Sequence, residues 1–276
     1  MKDVTFGQYY PVESFVHKCD PRAKILFLIG YLVAVFLSAD FYGLAACAVV
    51  LVLCVAFSRV PVRSVLRSIK GVLFLIVFTA ILNLLFYQGE TTVVIADVPL
   101  KWGIINITVE GIRFMIFVIC RIFMLVMVSA ILTLTTTPVS LTDGLESLLT
   151  PLKWIRVPVH ALALVMSIAL RMIPTLMDEI DRIMNAQKAR GADFSSGGPV
   201  KRVKAVIPVL IPLLLSALRR AEELGDAMEA RCYTGSEHRT RYKKLTFTWR
   251  DPLIALLCAA LIAGVVLMNV YLPPIL

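Results

Sequence analysis

Histidine is scarce in this chain, and several other absences narrow its chemistry further. The three histidines, His17, His160 and His238, have no metal-ligand spacing. Six cysteines are present, but no two form a C-x-x-C pair, and Cys47, Cys54, Cys120 and Cys258 lie in apolar runs, where cysteine acts as a small hydrophobe. Neither a disulfide framework nor a metal site is expected. There is no P-loop, no H-E-x-x-H and no Ser-His-Asp pattern, so the chain is not expected to hydrolyse ATP by P-loop machinery, to hold a cofactor or to be an enzyme. Nucleic acid is the weaker reading of the basic charge and is not expected as a partner, since there is no binding motif and no aromatic–basic interleaving. The first 20 residues carry Asp3, Glu13, Lys18 and Asp20 and no apolar h-region, so no cleavable signal peptide is expected. Charge itself is thin, at 17% of residues.

What fills the space is hydrocarbon. Hydrophobic residues make up 59% of the 276, with a mean hydropathy of +0.83, against about 45–50% in soluble domains. The excess falls in uncharged runs, the mark of a polytopic helical membrane protein. Asp20-Pro21 reads as a helix start, with Asp20 as N-cap and Pro21 at the first helical position. Residues 25–39 and 41–57 read as a tight helical hairpin turning at Asp40, its short spans extended by snorkelling Lys24 and Arg59. Residues 72–87, 114–137 and 253–272 supply three further spans, for five in all. Arg59, Arg63, Arg67 and Lys70 follow one helical face beside Val62, Leu66 and Ile69, which predicts an interfacial helix drawn to anionic lipid. The β-branched segments around Asp97-Val98-Pro99 predict a small hairpin outside the membrane. Residues 138–158 are amphipathic, with Thr142-Asp143-Gly144 as the expected cap of a short helix.

The net charge of +9 is read as topology. The loop at 59–70 carries four basic residues and no acid. The loop at 88–110 carries Glu90, Asp97 and Glu110 against Lys101, or −2. Residues 231–250 carry six basic residues against Glu237, or +5. By the positive-inside rule the N-terminus and residues 138–248 face the cytoplasm. The expected organisation is therefore residues 1–137 as four transmembrane helices, 138–248 as a cytoplasmic and interfacial insert, and 249–276 as the last span.

Within that insert one helix end is built twice. Asn185-Ala186-Gln187-Lys188-Ala189-Arg190-Gly191 is matched 41 residues later by Asp226-Ala227-Met228-Glu229-Ala230-Arg231-Cys232. Each closes a long run containing an Ile-Pro step, Ile173-Pro174 and Ile211-Pro212, then a charged half. The runs predict helices over 159–192 and 200–233, separated by Ser195-Ser196-Gly197-Gly198-Pro199 and each about 45–50 Å long. The arginines extend stripes of small or apolar residues. Such a tip suits a partner's groove, where the planar guanidinium fork bonds carboxylates or carbonyls. The plainer reading is an arginine complementing a helix dipole, worth about 0.3–1 kcal/mol. The matched duplication favours docking.

Arg121 lies inside an apolar span, where a cation is either functional or bonds carbonyls or Asn83 as structural glue. For Arg171 a local ion pair with Asp178, Glu179 or Asp181 is expected. Pro174, Pro208 and Pro212 either kink their helices or are tolerated where neighbours satisfy the freed carbonyls. Asp226 to Arg231 superficially resembles the Asp-x(2-3)-Ala-Arg opening of membrane alcohol phosphotransferases, but the further aspartate pair that chemistry needs is missing: after Arg231 the only acids are Glu237 and Asp251.

The segment His17-Lys18-Cys19-Asp20-Pro21-Arg22-Ala23-Lys24, with Ala189-Arg190-Gly191 and Ala230-Arg231-Cys232, resembles the transmembrane T component of energy-coupling factor transporters, a CbiQ-like family. The resemblance spans essentially the whole chain. It implies an all-α integral membrane protein, a scaffold in the prokaryotic cell membrane. Two long coupling helices would dock on two ABC-type ATPase subunits, which bind the ATP. A membrane S component would bind a vitamin or metal ion, and the scaffold would pass ATP-driven motion to it. Ala189, Arg190, Gly191, Ala230, Arg231 and Cys232 would be the coupling residues. The apolar faces of the long helices and residues 138–158 would contact the S component. Cys232 stands where the family often has glycine, so the second tip is expected to sit differently, which would suit two non-identical ATPases. The competing readings are a conventional ABC permease domain and a membrane-bound phosphotransferase.

Overall fold

The structure is a computed structural model that describes residues 9–86, 94–95, 98–99, 101–102, 105–106, 108–155, 158–192, 198–233, 235 and 247–271. Its helices are α1 Pro21–Leu37, α2 Phe41–Ser58, α3 Val62–Ile69, α4 Leu73–Phe86, α5 Val109–Thr135, α6 Pro138–Leu149, α7 Val159–Ala189, α8 Pro199–Ala230 and α9 Arg250–Tyr271. A 3-10 turn over Thr150–Ile155 follows α6. Four two-residue strands, β1 to β4, pair as two hairpins rather than the single one expected. Val94 faces Pro99, Ile95 faces Val98, Lys101 faces Asn106 and Trp102 faces Ile105. Asp97 lies outside the described residues, as do residues 195–197 of the expected helix break. The chain divides into two units, residues 1–148 with 245–276, and residues 149–244.

Among the described residues, α2, α5, α9 and Ala161–Ala189 of α7 are long and apolar enough to cross a membrane. Helices α3 and α4 meet the same criterion as a pair bent by 58°. Helix α1, at 17 residues, spans about 26 Å. This is an all-α multi-pass membrane protein.

In the first unit the core lies where α1, α2, α5 and α9 meet, around Tyr31, Val35, Cys47, Phe117, Met127, Ile131 and Val265. Asp20 caps α1, accepting from Arg22 N at 2.9 Å, with Pro21 beginning the helix. The backbone of Asp20 also donates to Asp251 Oδ1 at 2.9 Å, which ties the start of α1 to the start of α9. Asp251 Oδ2 takes a second bond, from Thr248 N, at 2.6 Å. Arg22 lies 5.5 Å over the Phe247 ring, and Arg250 lies 5.1 Å over the Phe15 ring, so each helix start grips the segment leading into the other. Further along, a Cβ at Gly30 would collide with Cys258 Sγ as it stands, so the thiol of α9 occupies the space that the glycine of α1 leaves. At their other ends Asn269 Nδ2 donates to Leu37 O at 2.7 Å.

Lys24 does not snorkel outward as expected. It is 6% exposed, and its ammonium donates to Thr135 O at 3.0 Å and Thr136 Oγ1 at 3.3 Å. The last carbonyls of α5 need donors and carry the negative end of the helix dipole, so the buried cation is held there. Residues 142–144 do not cap α6 but lie inside it. Thr137 occupies the cap, its Oγ1 accepting from Ser140 N at 3.3 Å, with Pro138 beginning the helix. Gly144 is there for packing: a Cβ would stand 2.9 Å from Pro21 Cβ.

The segment before α1 folds back on the bundle. Tyr10 N donates to Leu134 O at 3.0 Å. His17 Nε2 meets Tyr10 O at 3.0 Å and Nδ1 meets Ser14 Oγ at 2.7 Å. A carbonyl only accepts, so Nε2 carries the proton and Nδ1 takes the hydroxyl's. Burial lowers the imidazole's pKa, which favours this neutral ring.

Candidate functional site: two matched helix tips

The duplicated ends lie in the second unit, at the C-termini of α7 and α8. The helices have 31 and 32 residues, or about 46–48 Å each. Both run on through their internal prolines, Pro174 in α7 and Pro208 and Pro212 in α8.

Each helix stops in the same way. At the first tip Gly191 adopts φ 87°, its N–H bonds Lys188 O at 3.0 Å, and Ala192 N bonds Gln187 O at 3.0 Å. At the second, Cys232 adopts φ 56°, its N–H bonds Glu229 O at 2.8 Å, and Tyr233 N bonds Met228 O at 3.0 Å. Both are Schellman motifs, a left-handed residue closing the helix with a 5→2 and a 6→1 bond. The difference expected from Cys232 is therefore absent from the backbone. Two hydrogen bonds hold the cysteine in the left-handed region despite a steric cost of about 1–2 kcal/mol. Arg190 and Arg231 occupy the same cap position. Ala189, Arg190, Gly191, Ala230, Arg231 and Cys232 are all exposed. Among the described residues neither guanidinium has a hydrogen-bond or ion-pair partner.

The two tips are centred on an ion pair that the sequence pattern did not disclose. Arg220 Nη2 meets Glu179 Oε2 at 3.3 Å. These positions are 41 residues apart, the period of the repeat itself. Glu179 therefore bonds the residue at its own repeat position in α8, instead of serving Arg171 within α7. Gln187 Nε2 reaches Pro208 O at 3.4 Å, so α8 numbers fall as α7 numbers rise and the helices cross in opposite directions. Each arginine stands eleven residues beyond its member of the pair, roughly 16 Å of helix. The tips thus lie on opposite sides of the crossing, up to about 33 Å apart. Such an arrangement presents two arginine caps of like backbone on either side of one crossing.

Arg121 belongs to the other unit, in α5. Its Nη2 donates to Ser38 O, the cap residue of α1, and its guanidinium lies 4.5 Å over the Phe117 ring. Fourteen residues, about 21 Å, separate it from the end of α5 at Thr135, which places it level with the α1–α2 turn. Asn83 is engaged elsewhere, donating to Thr79 O at 2.8 Å.

The chain matches a family model described as cobalt transport protein, CbiQ, over residues 12–242, which include both tips and Arg121. It is 47% identical over 269 residues to the energy-coupling factor transporter transmembrane protein EcfT of Ruminiclostridium cellulolyticum, covering 98% of each chain. The protein of the same name from Brevibacillus brevis is 46% identical over 262 residues, with 95% of this chain and 97% of the relative covered. That of Lactococcus lactis subsp. cremoris is 42% identical over 254 residues, with 92% and 93% covered. With likeness of this length, the chain belongs to the CbiQ family, as the multi-pass transmembrane component of an energy-coupling factor transporter.

Proposed function

We propose that this protein is a non-catalytic coupling scaffold that transmits ATP-driven motion from two ABC-type ATPase subunits to a membrane S component carrying a vitamin or metal ion. The observation behind this reading is the pair of exposed arginine caps, alike in backbone and equidistant from the Glu179–Arg220 crossing. Each helix end would seat in a groove of one ATPase, with Arg190 or Arg231 bonding carboxylates or carbonyls there and the small residues beside them allowing close approach. Motion of one ATPase against the other would change the angle between α7 and α8. The exposed apolar residues of α8, among them Leu210, Leu214 and Leu218, would carry that change to the S component, joined by residues 138–158. The ATP would be bound by the ATPases. The basic loop at 59–70 and the basic run at 231–250 support an orientation with the N-terminus and both tips in the cytoplasm.

Co-purification with the host's ABC-type ATPases in mild detergent tests the reading. Arg190→Ala and Arg231→Ala should each weaken the complex by 10–100-fold, the loss of one charge-assisted contact of roughly 1.5–3 kcal/mol. The double variant should lose the ATPases or the coupled transport. Wild-type binding and transport by the double variant would reduce both arginines to ordinary helix ends.

A further inference from the structure

The first unit encloses a cavity of about 320 Å³ that the coupling reading leaves unused. It lies between α2 and α9, walled by α1 and α5, and falls within the range of ligand pockets, about 300–1,000 Å³. We infer that it is a binding site for one acyl chain of an anionic phospholipid, whose headgroup is held at the rim by Arg250 and Arg59.

The interior selects hydrocarbon. Its polar lining is Lys24, Thr135, the Cys54 thiol and the Trp249 indole, and the first two are already engaged: the ammonium donates to Thr135 O at 3.0 Å, and Thr135 Oγ1 donates to Ile131 O at 2.8 Å. A polar ligand would lose its water for few partners, at a cost of about 1–3 kcal/mol for each group left unpaired. The mouth also faces hydrocarbon. Leu53, Phe57 and Leu253 line it and are 42%, 59% and 48% exposed, on helices that cross the membrane. A ligand entering there comes from the bilayer.

The rim is charged. Phe15 roofs the cavity, with ring centroids 6.3 Å from Phe57 and 6.0 Å from Trp249. Arg250 lies over two of these rings, 5.1 Å from Phe15 and 5.8 Å from Trp249. Its Nε is buried and has no hydrogen-bond partner among the described residues. Arg59, two residues past Phe57, ends α2 at the same end of the bundle and is exposed. Of the acids nearby, Asp251 accepts from Asp20 N and Thr248 N, while Asp20 accepts from Arg22 N through Oδ1 and keeps a buried Oδ2 with no hydrogen-bond partner among the described residues. A phosphodiester fits two cations and an orphaned donor above a dry slot, and it is the one charge a bilayer delivers with an acyl chain attached.

The test uses the full chain in detergent with Trp102→Phe and Trp154→Phe, so that Trp249 alone reports. It is titrated with phosphatidylglycerol or phosphatidylcholine brominated on the acyl chain. Brominated phosphatidylglycerol should quench Trp249 at a concentration about 25-fold lower than brominated phosphatidylcholine. Leu253→Phe, which fills the slot, should move the phosphatidylglycerol curve at least tenfold to weaker binding. Arg59→Gln with Arg250→Gln should abolish the preference between headgroups, at about fivefold per charge, whereas Arg59→Lys with Arg250→Lys should retain it. Equal quenching by the two lipids, or a phosphatidylglycerol curve unmoved by Leu253→Phe, would overturn the assignment.

Discussion

At the first tip the last two turns carry Asn185, Gln187, Lys188 and Arg190, a local charge of +2; at the second they carry Asp226, Glu229 and Arg231, a charge of −1. The backbone of the two ends is the same, down to the left-handed residue and its two hydrogen bonds. The two tips thus share a shape that, on the proposed coupling role, would let a helix end enter a groove, while they differ in charge. Shape governs whether an end fits; charge governs which groove it prefers and how fast it finds it. If the two grooves belong to different ATPases, the tips already differ in the property that would tell them apart.

That comparison breaks most sharply under a charge transplant. Asp226→Asn with Glu229→Lys gives the second tip the +2 of the first. If each tip docks on an ATPase as proposed, affinity for the one that takes the second tip should fall by about tenfold, and the loss should shrink at high salt because the groups are exposed. Binding assays with each ATPase separately decide it. A smaller effect tests the shared backbone. Gly191→Ala should destabilise the first tip by about 1 kcal/mol and Cys232→Gly should stabilise the second by a similar amount. Hydrogen exchange at the amides of residues 191, 192, 232 and 233 should move in opposite directions in the two variants, about fivefold each. The smallest effect concerns the centre. Glu179→Ala should cost roughly 0.2–1 kcal/mol, since the pair is partly exposed. Spin labels on Cys232 and on Ala192→Cys, with the other cysteines replaced, should show a broader tip-to-tip distance distribution. Glu179→Arg with Arg220→Glu should narrow it again.

Much of the fold is legible because its causes are local. Asp20-Pro21 starts a helix by capping and a fixed φ, and both can be read from two letters. The duplicated tips are visible as a 41-residue period. What escapes has a distant cause. Gly144 reads as a cap residue, yet it is small because Pro21, 123 positions away, presses on it. Lys24 reads as a snorkelling flank, yet α5 offers it carbonyls at its own level. Glu179 has Arg171 on its own helix, but the crossing brings Arg220 closer. Arg121 looks deep when counted along α5 and lies level with a turn when counted against α1. In each case spacing along one element was known and the register between elements was not.

The clamp between the helix starts of α1 and α9 also sets an order of events in synthesis. Asp20 meets Asp251 across 231 residues. At about 5–20 residues per second the ribosome takes roughly 12–45 s to supply that partner. Through that interval α1 stands in the membrane without the helix against which Gly30 was kept small. The bundle therefore locks only as the last helix enters, and a nascent chain interrupted before residue 251 leaves the α9 face of its first helix uncovered for the cell's quality control to find.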